Sequence, residues 1–256
     1  HSQRASGALP LSSPVVLITG AARRIGATIA QAFHRDGFDV ALHCRQSLDQ
    51  ARELADNLNA ARANSARVFQ APLDDVQAVR AMASEVCHWR GRLDALINNA
   101  SSFYPTPLEN ASEKQWSELV DSNLKGPYFL CQALALSLKE TGGSIVNIAD
   151  IYARDPLKGY SIYCIAKAGN AMMTRALAKE LAPRVRVNGI APGVILWPHS
   201  DDQMSDDVKQ QVIDSVPLQR IGSPEDIART ALFLATGASY MTGQIVAVAG
   251  GSQINH

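Results

Sequence analysis

Tyr163 and Lys167 stand four residues apart at the head of a helical-period run, Tyr163 to Ala182, so both project from one face of a long helix. A free phenol titrates near 10, and an ammonium beside it favours the phenolate, which brings proton donation and recovery within reach of neutral pH. Lys167 is also placed to hold the ribose of a dinucleotide, setting a nicotinamide beside the phenol. Asn123, in Asp121-Ser122-Asn123-Leu124, lies inside another helical run, where Asn is intrinsically unfavourable. It is assigned a polar task, such as holding a water or kinking the helix near the lysine.

A second group of residues suits a nucleotide. The stretch Thr19-Gly20-Ala21-Ala22-Arg23-Arg24-Ile25-Gly26 follows an apolar strand and opens a helix, the setting in which a glycine turn brings a pyrophosphate onto a helix N-terminus. Gly20, Arg24, Ile25 and Gly26 are assigned there. The second strand ends in Leu42-His43-Cys44-Arg45-Gln46-Ser47, without the acidic residue that would pair with ribose hydroxyls and repel a 2′-phosphate. Arg45 and Ser47 instead offer a cation and a hydroxyl, so NADPH is the expected cofactor, with His43 at the same edge. Asp74, after the third strand, is placed to accept from an adenine amino group. Asn99, Ala100 and Ser101, after the fourth strand, and Pro192 and Gly193, after the sixth, are assigned to the same edge.

These residues need elements to carry them. Short β-branched runs alternate with longer helical segments from Pro14 on, the signature of parallel β-α-β units. Strands are expected at Val15 to Thr19, Asp39 to His43, Ala66 to Ala71, Leu93 to Asn98, Ser144 to Ala149, Arg186 to Ala191 and Gln244 to Val248. The fold class is α/β, a Rossmann-like doubly wound sheet of seven parallel strands flanked by helices. Residues 1–13 read as a flexible tail and residues 14–256 as a single reductase domain. The interval from about 193 to 205, with Leu196 and Trp197, reads as a substrate loop at the carboxyl edge of the sheet.

Composition narrows the function. With 256 residues, 46% of them hydrophobic, and equal numbers of acidic and basic side chains, the chain can bury a large core. No net field recruits nucleic acid or an anionic membrane, so a small ligand is expected. Cys44, Cys87, Cys131 and Cys164 lie far apart inside expected elements, which fits a reducing, cytoplasmic setting. No run is long enough to cross a bilayer, and no metal-ligand cluster is visible, so neither membrane nor metal is expected.

Taken together, these residues resemble the short-chain dehydrogenase/reductase family from Val15 to Gly251, and within it the pteridine reductases. The resemblance is carried by Arg24 in place of a turn glycine, Asn98 through Leu108, Gly159-Tyr160-Ser161-Ile162-Tyr163 with Lys167, and Asp150. Asp150 occupies the place, thirteen residues before the tyrosine, where these reductases normally carry a serine that donates to a substrate carbonyl. A carboxylate beside a developing alkoxide would raise the barrier, whereas a ring C=N must gain a proton at nitrogen, which an Asp sharing a proton with Tyr163 can supply.

The resemblance implies that Phe103 and the nicotinamide sandwich a flat pterin, with Ser101, Tyr160 and Arg24 in contact with the ring or its neighbours. It further implies that Asp150, Tyr163 and Lys167 deliver protons with Asn123 in support, and that the protein is a homotetramer. The expected activity is NADPH-dependent reduction of dihydropterin, extending to oxidised pterin and dihydrofolate as candidate acceptors. The alternatives are a ketone or 3-oxoacyl thioester reductase, and a non-catalytic NADPH-binding protein.

Overall fold

Every residue of Val15–Ile18 (β1) is fully buried, as a strand covered on both faces must be. Alternate residues face opposite ways, and two cores divide along that line. Val16 and Ile18 pack with Ile29, Ala30 and Phe33 of α1 (Arg24–Arg35) and with Leu54, Ala55 and Leu58 of α2 (Leu48–Ala61). Val15 and Leu17 pack on the other side with Val79, Met82 and Val86 of α3 (Val76–Arg90). The computed structural model describes residues 12–196 and 205–254. Most of the expected tail, and Trp197 with most of the expected substrate loop, lie outside the described residues. Ser12, at the end of that tail, is held by Arg92, which donates to its carbonyl and hydroxyl at 3.0 and 2.9 Å.

Six further strands complete the sheet: β2 (Asp39–Cys44), β3 (Ala66–Gln70), β4 (Ala95–Asn98), β5 (Ser144–Ile148), β6 (Arg186–Pro192) and β7 (Ile245–Val248). All pair in parallel, in the order β3-β2-β1-β4-β5-β6-β7. The order reverses between β1 and β4, and the crevice at their carboxyl ends is where sheets of this kind hold a ligand. The expected strands are all present; β4 begins two residues late, since the Leu93 carbonyl accepts from the Thr141 hydroxyl and Asp94 bonds the backbone at Val15.

Helices α4 (Glu113–Val120), α5 (Gly126–Thr141), α6 (Ser161–Leu181), α7 (Asp206–Asp214) and α8 (Pro224–Leu232) complete the α-helices among the described residues. Capping boxes at Ser112 and Ser223 start α4 and α8 by satisfying otherwise orphaned N–H groups. Between α4 and α5 the backbone widens into a π turn, Asp121–Lys125, centred on the Asn123 that the sequence marked as misplaced in a helix. Among the described residues no helix is long and apolar enough to cross a membrane.

Candidate active site

β1 runs into a turn that only particular residues tolerate. Gly20 has φ +61°, and a Cβ there would lie 3.0 Å from Ala100 Cα. A Cβ on Gly26 would collide with the Gly20 carbonyl oxygen and lie 2.7 Å from Asn99 Nδ2. Arg24, which lines the crevice, adopts φ +53°, a left-handed backbone that favours glycine. Asn99 clamps the turn by donating to the Thr19 and Gly20 carbonyls at 3.0 and 3.2 Å, and the Thr19 hydroxyl accepts from the Asn99 and Ala100 amides.

The resulting crevice has a volume of about 690 Å³ and is lined by Gly20, Arg24, Ile25, Gly26, His43, Arg45, Ser47, Asp74, Asn99, Ala100 and Ser101 among others. Neither α1 nor α2 spends a side chain on its N-terminal N–H groups, which leaves α1's amides for an anion at the turn and the Ser47 hydroxyl uncommitted to a cap. Arg45 and Asp74 form an exposed ion pair at 3.4 Å. These features suit a dinucleotide with an extra phosphate near Arg45.

His43 lies at the crevice, as expected, but its ring nitrogens are taken by the main chain. Its Nδ1 accepts from the Gly20 amide at 3.1 Å and its Nε2 donates to the Ala71 carbonyl at 2.9 Å, and burial lowers its pKa. Both ring nitrogens are committed to the main chain, so His43 shapes the glycine turn rather than offering a polar contact to a ligand. Pro192 and Gly193 do not line the crevice. A Cβ on Gly193 would meet Ala249 Cβ at 2.8 Å, so this glycine answers to packing between the ends of β6 and β7. Leu196, assigned to the substrate, packs partly buried against the core that contains Val16 and Ile18.

At the other end, α6 and the end of β5 bring three chemical groups together. Tyr163 Oη donates to Asp150 Oδ2 at 2.6 Å, while Asp150 Oδ1 accepts from the Tyr152 amide at 2.9 Å and starts a short 3-10 turn, Ile151–Ala153. Lys167 is 2% exposed and donates from Nζ to the Ile148 carbonyl at 2.9 Å. Burial pushes the Asp150 carboxyl up, opposed by the Tyr152 amide, the Tyr163 hydroxyl and Lys167. Burial also lowers the Lys167 ammonium to about 8, with Asp150 pulling the other way. The expectation that Lys167 brings Tyr163 towards neutrality is not met. Burial and the neighbouring carboxylate push the phenol's pKa up, so it holds its proton and presents it to Asp150.

Phe103, 48% exposed, stacks on Tyr160 at 4.7 Å and 15°, and meets Tyr163 edge-on at 4.8 Å. One Phe103 face is therefore spent on Tyr160, and the opposite face is the one left for a planar ligand. Asn123 is buried, and its Nδ2 donates to Ser102 and Leu119 carbonyls, both at 2.9 Å, joining the π turn to the loop that carries Phe103. Sequence reasoning missed Tyr104, whose hydroxyl donates to Glu118 at 2.8 Å and is pushed up to about 12 by burial and that carboxylate. It also missed Asn170, whose only signal was its place seven residues after Tyr163 on the same helical face.

A doubly wound sheet with a glycine turn at its switch point and a buried Tyr/Lys pair beside it defines an oxidoreductase of the nicotinamide-dependent class. A family model described as enoyl-(acyl carrier protein) reductase matches residues 20–253, and the chain belongs to the short-chain dehydrogenase/reductase family. It is 37% identical over 282 residues to pteridine reductase 1 of Leishmania tarentolae, covering 94% of this chain and 96% of that one. It is 36% identical over 238 residues to a 3-oxoacyl-[acyl-carrier-protein] reductase of Staphylococcus aureus, with 92% and 96% covered. A 3-oxoacyl-[acyl-carrier-protein] reductase of Thermotoga maritima is 32% identical over 246 residues, with 94% and 98% covered.

Proposed function

We propose that the protein is a single-domain, NADPH-dependent pteridine reductase that reduces dihydropterin, and by extension oxidised pterin and dihydrofolate, at a ring C=N. The observation that carries this reading is the 2.6 Å bond between Tyr163 Oη and Asp150 Oδ2. Where a serine would donate to a ketone oxygen, this site places a carboxyl that accepts a hydrogen bond from the phenol. Negative charge developing on a carbonyl oxygen would be repelled by it, whereas a ring nitrogen gaining a proton is served.

When bound, the reduced nicotinamide supplies the hydride. Tyr163 would give its proton to the acceptor nitrogen, and Asp150, its pKa raised by burial, would take up a proton from water and return it to the phenolate. Lys167 would hold the cofactor ribose and offsets the Asp150 charge, and Asn123 keeps the Ser102–Phe103 loop in place. Phe103 offers its free face to the pterin, Tyr160 backs Phe103, and Ser101 and Arg24 line the neighbouring crevice. Arg45 and Ser47 would hold the 2′-phosphate, and Asp74, paired with Arg45 at 3.4 Å, would accept from the adenine amino group.

The second reading, reduction of 3-oxoacyl thioesters, is favoured by the near-equal identity to the Staphylococcus aureus reductase. The test is NADPH oxidation by the purified protein offered dihydrobiopterin, biopterin, dihydrofolate and an acetoacetyl thioester in turn, with NADH as control. Turnover of the pterins is expected; turnover of the thioester alone replaces this reading with the second.

A further inference from the structure

Six polar side chains or carbonyls make one buried chain through the middle of the molecule. Asn98 Nδ2 donates to Asn147 Oδ1 at 2.8 Å, Asn147 Nδ2 to Thr174 Oγ1 at 2.9 Å, and Thr174 Oγ1 to the Asn170 carbonyl at 3.0 Å. From there Asn170 Nδ2 donates to the Asn123 carbonyl at 3.0 Å, and Asn123 Nδ2 to the Ser102 carbonyl at 2.9 Å. The next residue, Phe103, touches the Tyr163 ring, so the path leaves α6 at Asn170 and returns to it at Tyr163.

The chain is costly. Asn147 and Thr174 are fully buried, Asn170 is 2% exposed, and the Oδ1 atoms of Asn98, Asn123 and Asn170 are buried with no hydrogen-bond partner among the described residues. Each unsatisfied buried acceptor works against folding, and an apolar side chain of Asn volume at 170 would remove one of them. What the Asn170 amide supplies in return is a fixed Asn123 carbonyl, in a π turn whose wide i to i+5 geometry leaves backbone groups in need of a partner.

We propose that Asn170 is a positioning residue for the reductase chemistry: by holding the Asn123 carbonyl it fixes the π turn, and through Asn123 it fixes Ser102–Phe103, in the loop after β4, against Tyr163. Asn170 touches neither Asp150 nor the crevice, so it acts only through Asn123. The inference rests on the family's chemistry and on this hydrogen-bond path, whichever acceptor the enzyme takes.

The test uses the full chain carrying Asn170→Leu, with Asn123→Ala and the double variant for comparison. Amide exchange read by mass spectrometry is expected to quicken across residues 101–106 and 121–126 and to stay unchanged in β1 and α1. With the acceptor that the wild type turns over, kcat is expected to fall roughly tenfold, as for a reacting group misplaced by less than its own length. The KM for NADPH is expected to move less than about twofold, and the double variant to be no slower than Asn123→Ala, because the two act in series. Asn170→Ser carries the same expectations where the leucine variant folds poorly. Unchanged exchange at 101–106, or losses that multiply in the double variant, would overturn the proposal. The exchange readout needs no substrate, so its failure is separate from failure of the pterin reading.

Discussion

Asp150 divides its two oxygens between two tasks. Oδ1 caps the turn at Tyr152, and Oδ2 meets the Tyr163 phenol. Asp150→Ser keeps a hydroxyl for the turn and removes the shared proton. It is expected to lower kcat for dihydropterin by about a hundredfold, within the usual worth of a general acid, and to leave or raise turnover of an acetoacetyl thioester; stopped assays with both acceptors decide between these outcomes. Arg45→Asp sets a carboxylate where a 2′-phosphate is expected and should raise the KM for NADPH by roughly ten- to a hundredfold with little change for NADH.

Lys167 gives a pH signature. Its folded pKa, about 8, lies below the unfolded value of 10.5, so the folded state gains from a neutral lysine. That contribution is complete above 10.5 and is lost as pH falls through 8. Lys167→Met should therefore raise the melting temperature relative to the wild type more at pH 7 than at pH 10, and an equal difference at both would contradict the burial. The error in reading Tyr163 belongs here too. Residue spacing gives the identity of a neighbour but not how much water surrounds it, and burial together with the Asp150 carboxylate pushes the phenol up.

Elements were legible where a repeating pattern writes them. All-buried strands such as Val15–Ile18 leave an unbroken apolar run, and α1 buries Gly26, Ile29, Ala30 and Phe33 at helical spacing. The π turn was not legible as such, because one extra residue in a turn leaves the apolar period of α4 and α5 nearly intact; only a misplaced Asn123 marked it. The main-chain bonds of His43 were not legible for a related reason, since a polar residue at a strand end looks alike whether it meets a ligand or the main chain. Gly26 tests the turn that His43 supports. Gly26→Ala would drive a methyl into the Gly20 carbonyl, and its cost is expected at about 1 to 3 kcal/mol of stability with a raised KM for the dinucleotide. Thermal melts and cofactor titration read both, and a variant with wild-type values would show that the turn has room.

At the scale of the whole molecule, the sheet order places the nucleotide crevice and the proton-bearing groups on one edge, while α5 and α6 also have faces turned away from it. Those faces carry apolar side chains in water: Tyr128 and Leu136 on α5, at 41% and 70% exposure, and Ile165 and Met172 on α6, at 52% and 60%. Ile165 and Met172 are seven residues apart and share one helix face, opposite the one that holds Tyr163, Lys167 and Asn170. A monomer gains nothing from such a stripe, and a second copy that covers it would stiffen the helix that carries the chemistry. With the homotetramer implied by the family resemblance, the wild type is expected to sediment at about four times 27.5 kDa. Ile165→Asp with Met172→Asp puts two carboxylates into that covered face and should yield smaller species with lower turnover. A wild type that sediments as a monomer, or a double variant that keeps its assembly, would move the contact between copies to another surface.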